Sequence, residues 1–446
     1  MTQPSAAGSI GQASTGRSPT DRSPTGRIPT DRSPTPESNR LRELGGAAEP
    51  ELRARLAWLL VPGVGPTRCR RLAAAAGGCE AMLRAPVGEL AALLRRAPDT
   101  VRDWQQAARR ANVDGELRRI TDLGGVLVSL GAEDYPPLLA SIPDPPPLLW
   151  MQAGHETAAS TDKGEPSENA LFALGQGGAP NVPVVAIVGT RRASAYGLET
   201  AARFGEGLAA SGVAIVSGGA RGIDAAAHRA ALRVGGRTIA VLGSGLGRRY
   251  PPEHDRLFDE IVAGGGAILS EWPIATEPRP GHFPRRNRIV SGLALGVIVV
   301  EAARRSGALI TARLAVEEHG REAMAVPGRI DMPQSAGCLK AIREGWAAPV
   351  ASLAEIGEQL AGVGSLLVGA IERAKADHAS RKGLRSTDGL DRREDPLDRR
   401  IVEIATAQPS DRAAAIDAIV SETGLGADVV AARLVRLRLE GRLSRG

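Results

Sequence analysis

Apolar residues between positions 182 and 350 form short runs that alternate with stretches of helical periodicity. A short apolar run is typical of a strand buried on both faces, and the helical stretches between runs are typical of covering helices. The alternation predicts an α/β fold whose core is an extended Rossmann-like parallel sheet. The predicted strands are Val184–Val188, Val213–Ser217, Thr238–Leu242, Ala267–Leu269, Val297–Val300 and Ala323–Val326. The predicted helices are Gly197–Ala210, Asp224–Val234, Pro252–Ala263, Arg286–Ala294 and Ala308–Glu318.

Helical segments flank this core on both sides. Residues 51–125 place leucines at helical spacing around the turn Pro62–Pro66, which predicts a helical module of the helix-hairpin-helix or SAM-like kind. The glycines of such a turn let backbone N–H groups approach a phosphate, although a tight corner that only packs has the same sequence. Residues 396–446 predict three short helices and a final turn, which suits a small C-terminal winged-helix module.

Low-complexity stretches precede and separate these segments. Residues 1–50 repeat an Arg-Ser-Pro-Thr unit and contain almost nothing apolar, so they predict a disordered tail. Residues 154–181 and 351–395 are polar and lack periodicity, and they predict a flexible insertion and a linker, respectively. The Rossmann-like domain is therefore predicted to span residues 126–350.

Composition narrows the class of protein. The formal net charge is +6 and aromatic residues make up only 3% of the chain, which favours a polyanionic partner held mainly by charge. Three cysteines without metal-ligand spacing, and an N-terminus without an apolar signal segment, predict reduced thiols in a cytoplasmic protein. No run of about 18 apolar residues is present, so we expect no membrane span and no membrane partner.

Glycines and arginines follow the predicted strands at their carboxyl ends, where parallel sheets bind ligands. Arg191 follows the first strand, and its planar guanidinium suits phosphate oxygens, although an internal salt bridge is an alternative. Ser217, Gly218 and Gly219 follow the second strand and offer backbone N–H groups to an anion, with Asp224 as the expected N-cap of the next helix. The chain contains neither a dinucleotide-binding glycine motif nor a P-loop.

The segment Phe283–Arg288 carries the strongest indication of a nucleic-acid site. It opens a predicted helix with Arg285, Arg286, Asn287 and Arg288 directly after an aromatic ring. Arginines neutralise backbone phosphates, and one ring stacks on a base for about 1–3 kcal/mol. A solvated, charged helix start is the alternative, and the Phe and Asn among the arginines argue against it.

The same edge lacks the residues of a reaction centre. His228 has no Ser or Cys placed as a partner, so a structural role is expected, and no carboxylate or His cluster has metal-ligand spacing. We therefore predict binding without catalysis, with no catalytic residue, no metal and no cofactor.

The chain carries an ordered set of short motifs. They are Gly189–Arg191, Ser217–Asp224, Ala227–His228, Tyr250–Pro251, Ser270–Glu271, Phe283–Arg288, Ser306–Ala312 and Val326–Gly328. This set resembles the DNA-processing DprA (Smf) family. The resemblance implies an extended Rossmann-like fold that forms a homodimer, binds single-stranded DNA in a basic pocket and helps load the RecA recombinase in natural transformation. It implies DNA contacts for Arg191, Phe283, Arg286, Asn287 and Arg288, and backbone donors at Ser217, Gly218 and Gly219.

Two departures from the family pattern and two alternative functions remain. A polar motif with Asn is replaced by Ser335–Leu339, and a closing Gly-Ala is Gly345-Trp346, which affects details of the pocket.

A phosphoribohydrolase of the Lonely Guy type has a related fold, but the chain lacks the Thr and Glu that this enzyme family carries after its paired glycines. A transcription regulator would use the winged helix, where Arg433 and Arg436 are mixed with acidic residues.

Overall fold

A computed structural model describes residues 48–132, 134–154, 183–360, 396–407 and 412–423, together with Val430, Arg433, Leu434 and Leu437. Its centre is a nine-stranded sheet of order β1-β2-β6-β5-β4-β3-β7-β8-β9. All six predicted core strands are present, with ends within one residue of the prediction. The strands are β1 Gly125–Ser129, β2 Leu148–Ala153, β3 Val184–Val188, β4 Ala214–Ser217, β5 Thr238–Val241, β6 Ala267–Ser270, β7 Gly296–Val299, β8 Glu322–Ala325 and β9 Ala348–Pro349.

The six predicted strands pair in parallel, and the whole sheet is mixed because an antiparallel edge adds to them. Strands β3 to β9 pair in parallel, whereas β2 runs antiparallel to both β1 and β6. A parallel neighbour needs a full crossover connection, and only the short helix α7 and a run of prolines join β1 to β2. The strand order reverses between β3 and β7, and open α/β sheets commonly bind ligands near the carboxyl ends of the strands at such a switch point.

Helices cover both faces of the sheet because alternate strand residues point to opposite sides. Val184, Ala186 and Val188 of β3 belong to the apolar cluster under α11 and α12, whereas Val185 and Ile187 pack under α8 and α9. The described helices of this core are α7 Pro137–Ala140, α8 Ala195–Ala210, α9 Ile223–Arg233, α10 Asp255–Ala263, α11 His282–Leu293, α12 Gly307–Glu317, α13 Ala336–Arg343 and α14 over 353–360. Helix α14 lies in the stretch assigned to the linker, and its Leu353, Ile356 and Leu360 are buried in the same cluster as α8.

Six helices precede β1 and share their apolar core with the sheet. Trp58 and Met82 from these helices belong to one buried cluster with Trp150 of β2, Phe258 of α10 and Ile268 of β6. The Trp150 indole donates to Glu116 over 3.0 Å, which ties α6 to the strand. The helices are α1 Ala48–Leu59, α2 Pro66–Ala76, α3 Cys79–Arg84, α4 Val87–Leu94, α5 Pro98–Arg109 and α6 Val113–Asp122.

The C-terminal segment is described in part. Helices α15 Pro396–Ala407 and α16 Arg412–Thr423 bury Ile401, Ile404 and Ile419 against one another. The turn that would form a wing lies outside the described residues, as do residues 1–47, most of the 154–181 insertion and residues 361–395. Within the described part of the chain, no helix combines the length and apolar character needed to cross a bilayer.

Candidate functional site

The carboxyl ends of β3, β4 and β5 surround a small pocket, which we call the rim pocket. It holds about 10 Å³ of open space, which is room for roughly one water molecule. Loops from three strands and the first turns of α11 therefore meet at one point of the sheet edge. The lining residues are Arg191, Gly218, Ala220, Arg221, Tyr250, Pro251, Phe283 and Arg286.

The loop after β3 presents Arg191 because a buried carboxylate holds the rest of the loop in place. Glu301, at the end of β7, accepts the Ser194 N–H over 2.9 Å, and its carbonyl accepts the Thr190 N–H over 2.7 Å. Ser194 in turn caps α8 by accepting the Gly197 N–H over 3.0 Å. Arg191 itself is exposed, has no carboxylate partner among the described residues, and lies with its guanidinium carbon 5.3 Å from the Phe283 ring centroid.

The loop after β4 differs from the predicted arrangement of free backbone donors. Ser217 is fully buried and donates its hydroxyl to the Ile187 carbonyl over 2.6 Å. The Asp224 carboxylate accepts the Gly218 N–H over 3.1 Å and the Ala220 N–H over 3.3 Å, so it staples this loop and does not cap α9. Burial raises the pKa of Asp224, and the nearby Arg286 opposes that shift.

Gly219 is buried and does not line the rim pocket. Its φ of +66° is the left-handed conformation that favours glycine, and the described chain offers no hydrogen-bond acceptor to its N–H group. Of the three predicted backbone donors, Ser217 and Gly218 are committed inside the protein, and Gly219 keeps a free but buried N–H group.

Arg286 is a buried support of the rim pocket. Its side chain is 4% exposed and donates to the carbonyls of Gly218 and Val241, at the ends of β4 and β5. Burial lowers the pKa of Arg286 to about 10, and the Asp224 carboxylate acts in the opposite direction. A Cβ atom at Gly218 would collide with this guanidinium, so glycine is required at position 218 to leave room for the Arg286 side chain. Arg286 forms the floor of the pocket and holds two strand ends together.

Arg285 and Arg288 are committed to a buried carboxylate on the other side of α11. Glu271, whose side chain is fully buried, bonds Arg288 over 2.6 Å and Arg285 over 3.1 Å. Arg288 also pairs with Asp144 over 3.3 Å, and burial raises the pKa of Glu271 while both arginines oppose that shift. The Arg288 guanidinium, predicted to contact DNA, is buried between two carboxylates and does not line the rim pocket.

Phe283 and Asn287 contact different parts of the protein, although both lie on α11. The Phe283 ring packs on Tyr250 at 5.5 Å between centroids and rests above Gly243, where a Cβ atom would lie 2.8 Å from the ring. Asn287 donates its side-chain amide to the Gly307 carbonyl over 3.2 Å and does not line the pocket. Arg191, Phe283 and Arg286 are thus the predicted side chains that the fold brings together.

The described residues give no arrangement for nucleophilic or metal chemistry at this edge. His228 is fully buried, its Nδ1 lies 2.7 Å from the Thr238 hydroxyl, and burial lowers its pKa to about 3. A neutral, buried imidazole matches the structural role expected for it. Among the described residues, no group of three or more His, Cys, Asp or Glu side chains could hold a metal ion.

Sequence reasoning missed the carboxylates that organise the arginines. Asp144 accepts hydrogen bonds from Thr67 over 2.7 Å and from Arg70 over 3.1 Å, in addition to Arg288. The signal was available, since Asp144 stands between prolines that rule out a regular element and leave only a tertiary role. Arg221 was also missed; it lies 5.9 Å from the Tyr250 ring and pairs with Glu253.

Comparisons with known proteins agree with this architecture. Residues 163–361 match the family model described as DNA recombination-mediator protein A. The chain is 36% identical to protein Smf of Synechocystis over 323 residues, covering 70% of this chain and 76% of that protein. It is 39% identical to the DNA processing protein DprA of Bacillus subtilis over 233 residues, covering 52% and 70% of the two chains.

A solved structure gives the same result for the fold. The X-ray structure of DNA processing protein A from Streptococcus pneumoniae superposes with a TM-score of 0.54 at 34% identity. The superposition covers 67% of this chain and 94% of that one. The chain therefore belongs to the DNA recombination-mediator protein A family, also called DprA or Smf.

Proposed function

We propose that this protein binds single-stranded DNA at the rim pocket and acts by holding the strand, without covalent chemistry. The observation that carries the proposal is the exposed Arg191, which has no acidic partner in the described chain and rests on the ring of Phe283. The names of the relatives, which describe DNA processing and DNA recombination, support the same class of ligand.

The geometry suggests how one nucleotide is held. The rim pocket holds only about 10 Å³, and the exposed Arg191 side chain lies over the Phe283 ring. When Arg191 moves to a phosphate, the ring becomes free to stack on a base. A base inside a duplex cannot reach this ring without unpairing, so the pocket selects single strands.

The finer parts of the proposal come from the family. A protein that only holds DNA must pass it on, and we propose that the recipient is the RecA recombinase during natural transformation or recombination, in the cytoplasm. We also propose that the chain works as a homodimer. Assembly of RecA on DNA already coated by a single-strand-binding protein, measured with and without this chain, tests the loading step; an unchanged assembly rate rules it out.

Titration of a labelled oligonucleotide over a salt series tests the binding step. We expect a preference for single over double strands and a linear fall of log affinity with log salt, by about 0.7 per neutralised phosphate. Arg191→Gln should lower both the affinity and the salt slope. The neighbouring Arg192 is equally exposed but does not line the pocket, so Arg192→Gln is the matched control. Equal effects of the two variants would contradict the assignment of the pocket.

The two alternatives make different predictions. A phosphoribohydrolase would release free base from nucleoside monophosphates, and we expect none, because the chain lacks the Thr and Glu that this enzyme family carries after its paired glycines. A regulator that uses the winged helix needs accessible arginines, but Arg433 bonds Asp398 over 2.7 Å, and Arg436 lies outside the described residues. Release of base, or a preference for one duplex sequence, would favour the corresponding alternative.

A further inference from the structure

A second concave surface lies on the helices that precede the sheet, and we call it the arginine groove. It encloses about 850 Å³ between the first residues of α2 and the C-terminal end of α4. Gly65, in the turn that resembles a helix-hairpin-helix, lies on its wall. The side chains that give the groove its character are Arg68, Arg71, Leu93, Arg95, Arg96 and Arg285.

Most of the charge of the arginine groove is not compensated by the protein: Arg285 pairs with Glu271, and the other lining arginines have no carboxylate partner in the described chain. No Asp or Glu is among its lining residues. Arg71, Arg95 and Arg96 are exposed and have no carboxylate within ion-pair distance in the described chain. Other exposed arginines do have such partners, as in Arg256 with Glu260 at 3.0 Å. Like charges kept together without counter-charges raise the local positive potential and attract a polyanion.

The residue that follows α4, Arg95, has an unusual backbone conformation. Arg95 has φ +50° and is the one non-glycine residue with positive φ in the described part of the chain. Glycine or asparagine is the usual residue at this left-handed position after a helix. A non-glycine residue in this conformation is a reason to look for function at that place, and here the residue is an arginine that lines the groove.

An apolar contact point stands among these arginines. Leu93 is 53% exposed and lies in the groove beside Arg95 and Arg96. Exposed leucine next to guanidinium groups suits a ligand with an anionic backbone and flat, partly apolar bases. Arg68 supports the wall, because it bonds the Gly63 carbonyl and lies 5.2 Å from the Trp104 ring.

Arg285 connects the groove to the rim pocket. Its guanidinium lines the groove, bonds the Thr67 hydroxyl of α2 and lies 5.7 Å from the Trp272 ring. The next residue along α11, Arg286, forms the floor of the rim pocket. The two concave surfaces thus take lining residues from consecutive positions of α11.

We propose that the arginine groove binds the sugar–phosphate backbone of the single strand that flanks the segment held in the rim pocket. This inference rests on the proposed function and extends it from a single pocket to a continuous path. Arg71, Arg95 and Arg96 neutralise phosphates, and Leu93 packs against an unpaired base. Duplex DNA offers the same phosphate chemistry, so the experiment contains a duplex arm.

The test compares strand lengths with a charge-removing triple variant. Oligothymidylates of about 8 and about 30 nucleotides are titrated against the full chain and against Arg71→Gln/Arg95→Gln/Arg96→Gln, since single sites of this kind span about 4–16 nucleotides. We expect the variant to bind the long strand about 10-fold more weakly, with a salt slope reduced by about 2, and the short strand within about twofold of wild type. Exposed positions tolerate such changes, so the melting temperature should not move.

Two further variants separate charge at the groove from charge in general. Arg110→Gln/Arg229→Gln/Arg343→Gln removes the same charge from exposed positions that line neither surface, and should bind both strands as wild type does. Arg71→Lys/Arg95→Lys/Arg96→Lys keeps the charge and should restore the salt slope. If the control triple is as weak as the groove triple, or if the lysine variant stays defective, the groove assignment is wrong.

Failure of the groove differs from failure of the proposed function. If the groove triple variant binds the long strand with wild-type affinity while Arg191→Gln weakens both lengths, the groove is not part of the path. If Arg191→Gln leaves both lengths unaffected, the rim pocket itself is misassigned. If the groove triple variant loses affinity only for a duplex of about 30 base pairs, the single-strand assignment of the groove is wrong.

Discussion

The first turns of α11 and the arginine groove use the same side chain in opposite ways. On α11, Arg286 bonds two backbone carbonyls and Arg288 bonds two carboxylates, and the rim pocket above Arg286 holds only about 10 Å³. In the groove, Arg71, Arg95 and Arg96 meet no carboxylate of the described chain, and the open space is about 850 Å³. An arginine is therefore a support where the fold buries it among internal acceptors, and a candidate contact where it is exposed without a carboxylate partner, as Arg191 is at the rim pocket.

The difference has an energetic basis. A guanidinium buried with a carboxylate stabilises the fold only as a complete pair, and removing one partner leaves an uncompensated charge. An exposed guanidinium adds little to stability but keeps its full charge for a phosphate. Substitution of a buried arginine should thus change the free energy of unfolding, whereas substitution of an exposed arginine should change the DNA affinity and its dependence on salt.

The largest effect is expected at the buried ion pair. Arg288→Ala leaves Glu271 fully buried without its shorter partner, and should lower the free energy of unfolding by about 3–5 kcal/mol. Urea unfolding followed by circular dichroism measures this change. Arg285→Ala is the matched control: its side chain is 28% exposed, so the loss should be about 1 kcal/mol. A folded, fully stable Arg288→Ala protein with lost DNA affinity would make Arg288 a contact after all.

The contrast between arginines also marks the limit of sequence reasoning. The six core strands were predictable because apolar runs and helical periodicity are local signals. The partners of Arg288 were not, because Glu271 and Asp144 lie 17 and 144 residues away in the sequence and only the fold joins them. The carboxyl-edge position of Phe283–Arg288 was predicted, whereas the division of its side chains between pocket, ion pair and helix contact was not.

Edge strands and backbone donors show the same limit. The antiparallel pairing of β2 depends on its neighbour β6, more than 100 residues later, and no local pattern in Leu148–Ala153 reports it. The Gly218 amide looked free in the sequence, yet Asp224 takes it six residues later. A local pattern locates an anion-binding loop, but the internal acceptors decide which of its amides remain for a ligand.

Acidification should lower the free energy of unfolding through the buried His228. His228 is fully buried, with Arg286 and His254 adding like charge, and its pKa is lowered to about 3. As pH falls below about 6.5, the unfolded chain takes up this proton before the folded one, so stability is complete above that pH and declines toward pH 3. Between pH 7 and pH 4.5 the loss from this group is about 2 kcal/mol.

Urea unfolding of His228→Asn at both pH values checks this assignment. The variant should be less stable at pH 7, since the bond to Thr238 is altered, but its loss on acidification should be about 2 kcal/mol smaller than that of wild type. His319, whose pKa burial lowers to about 4, stays in both proteins and cancels. Parallel stability curves for the two proteins would mean that the pKa of His228 is the same in the folded and the unfolded chain, so that burial does not lower it.

Phe283 gives the next effect, and it should appear in binding only. Phe283→Ala removes the ring on which a base stacks, and should weaken single-strand binding by about 1–3 kcal/mol. Phe283→Trp keeps a stacking face and should retain most of the affinity. Fluorescence anisotropy with a short oligothymidylate measures both. If Phe283→Ala lowers the unfolding midpoint but leaves affinity unchanged, the ring belongs with the buried supports.

The smallest expected effect tests whether the position of the ring matters. A Cβ atom at Gly243 would lie 2.8 Å from the Phe283 ring, so Gly243→Ala must push the ring from its seat on Tyr250. We expect a loss of single-strand affinity of about 0.5–1 kcal/mol, below that of deleting the ring. Ser244→Ala is the matched control, because the Ser244 hydroxyl is buried without a partner in the described chain, and its loss leaves the ring untouched. Gly243→Ala with wild-type affinity would show that a base does not depend on where this ring sits.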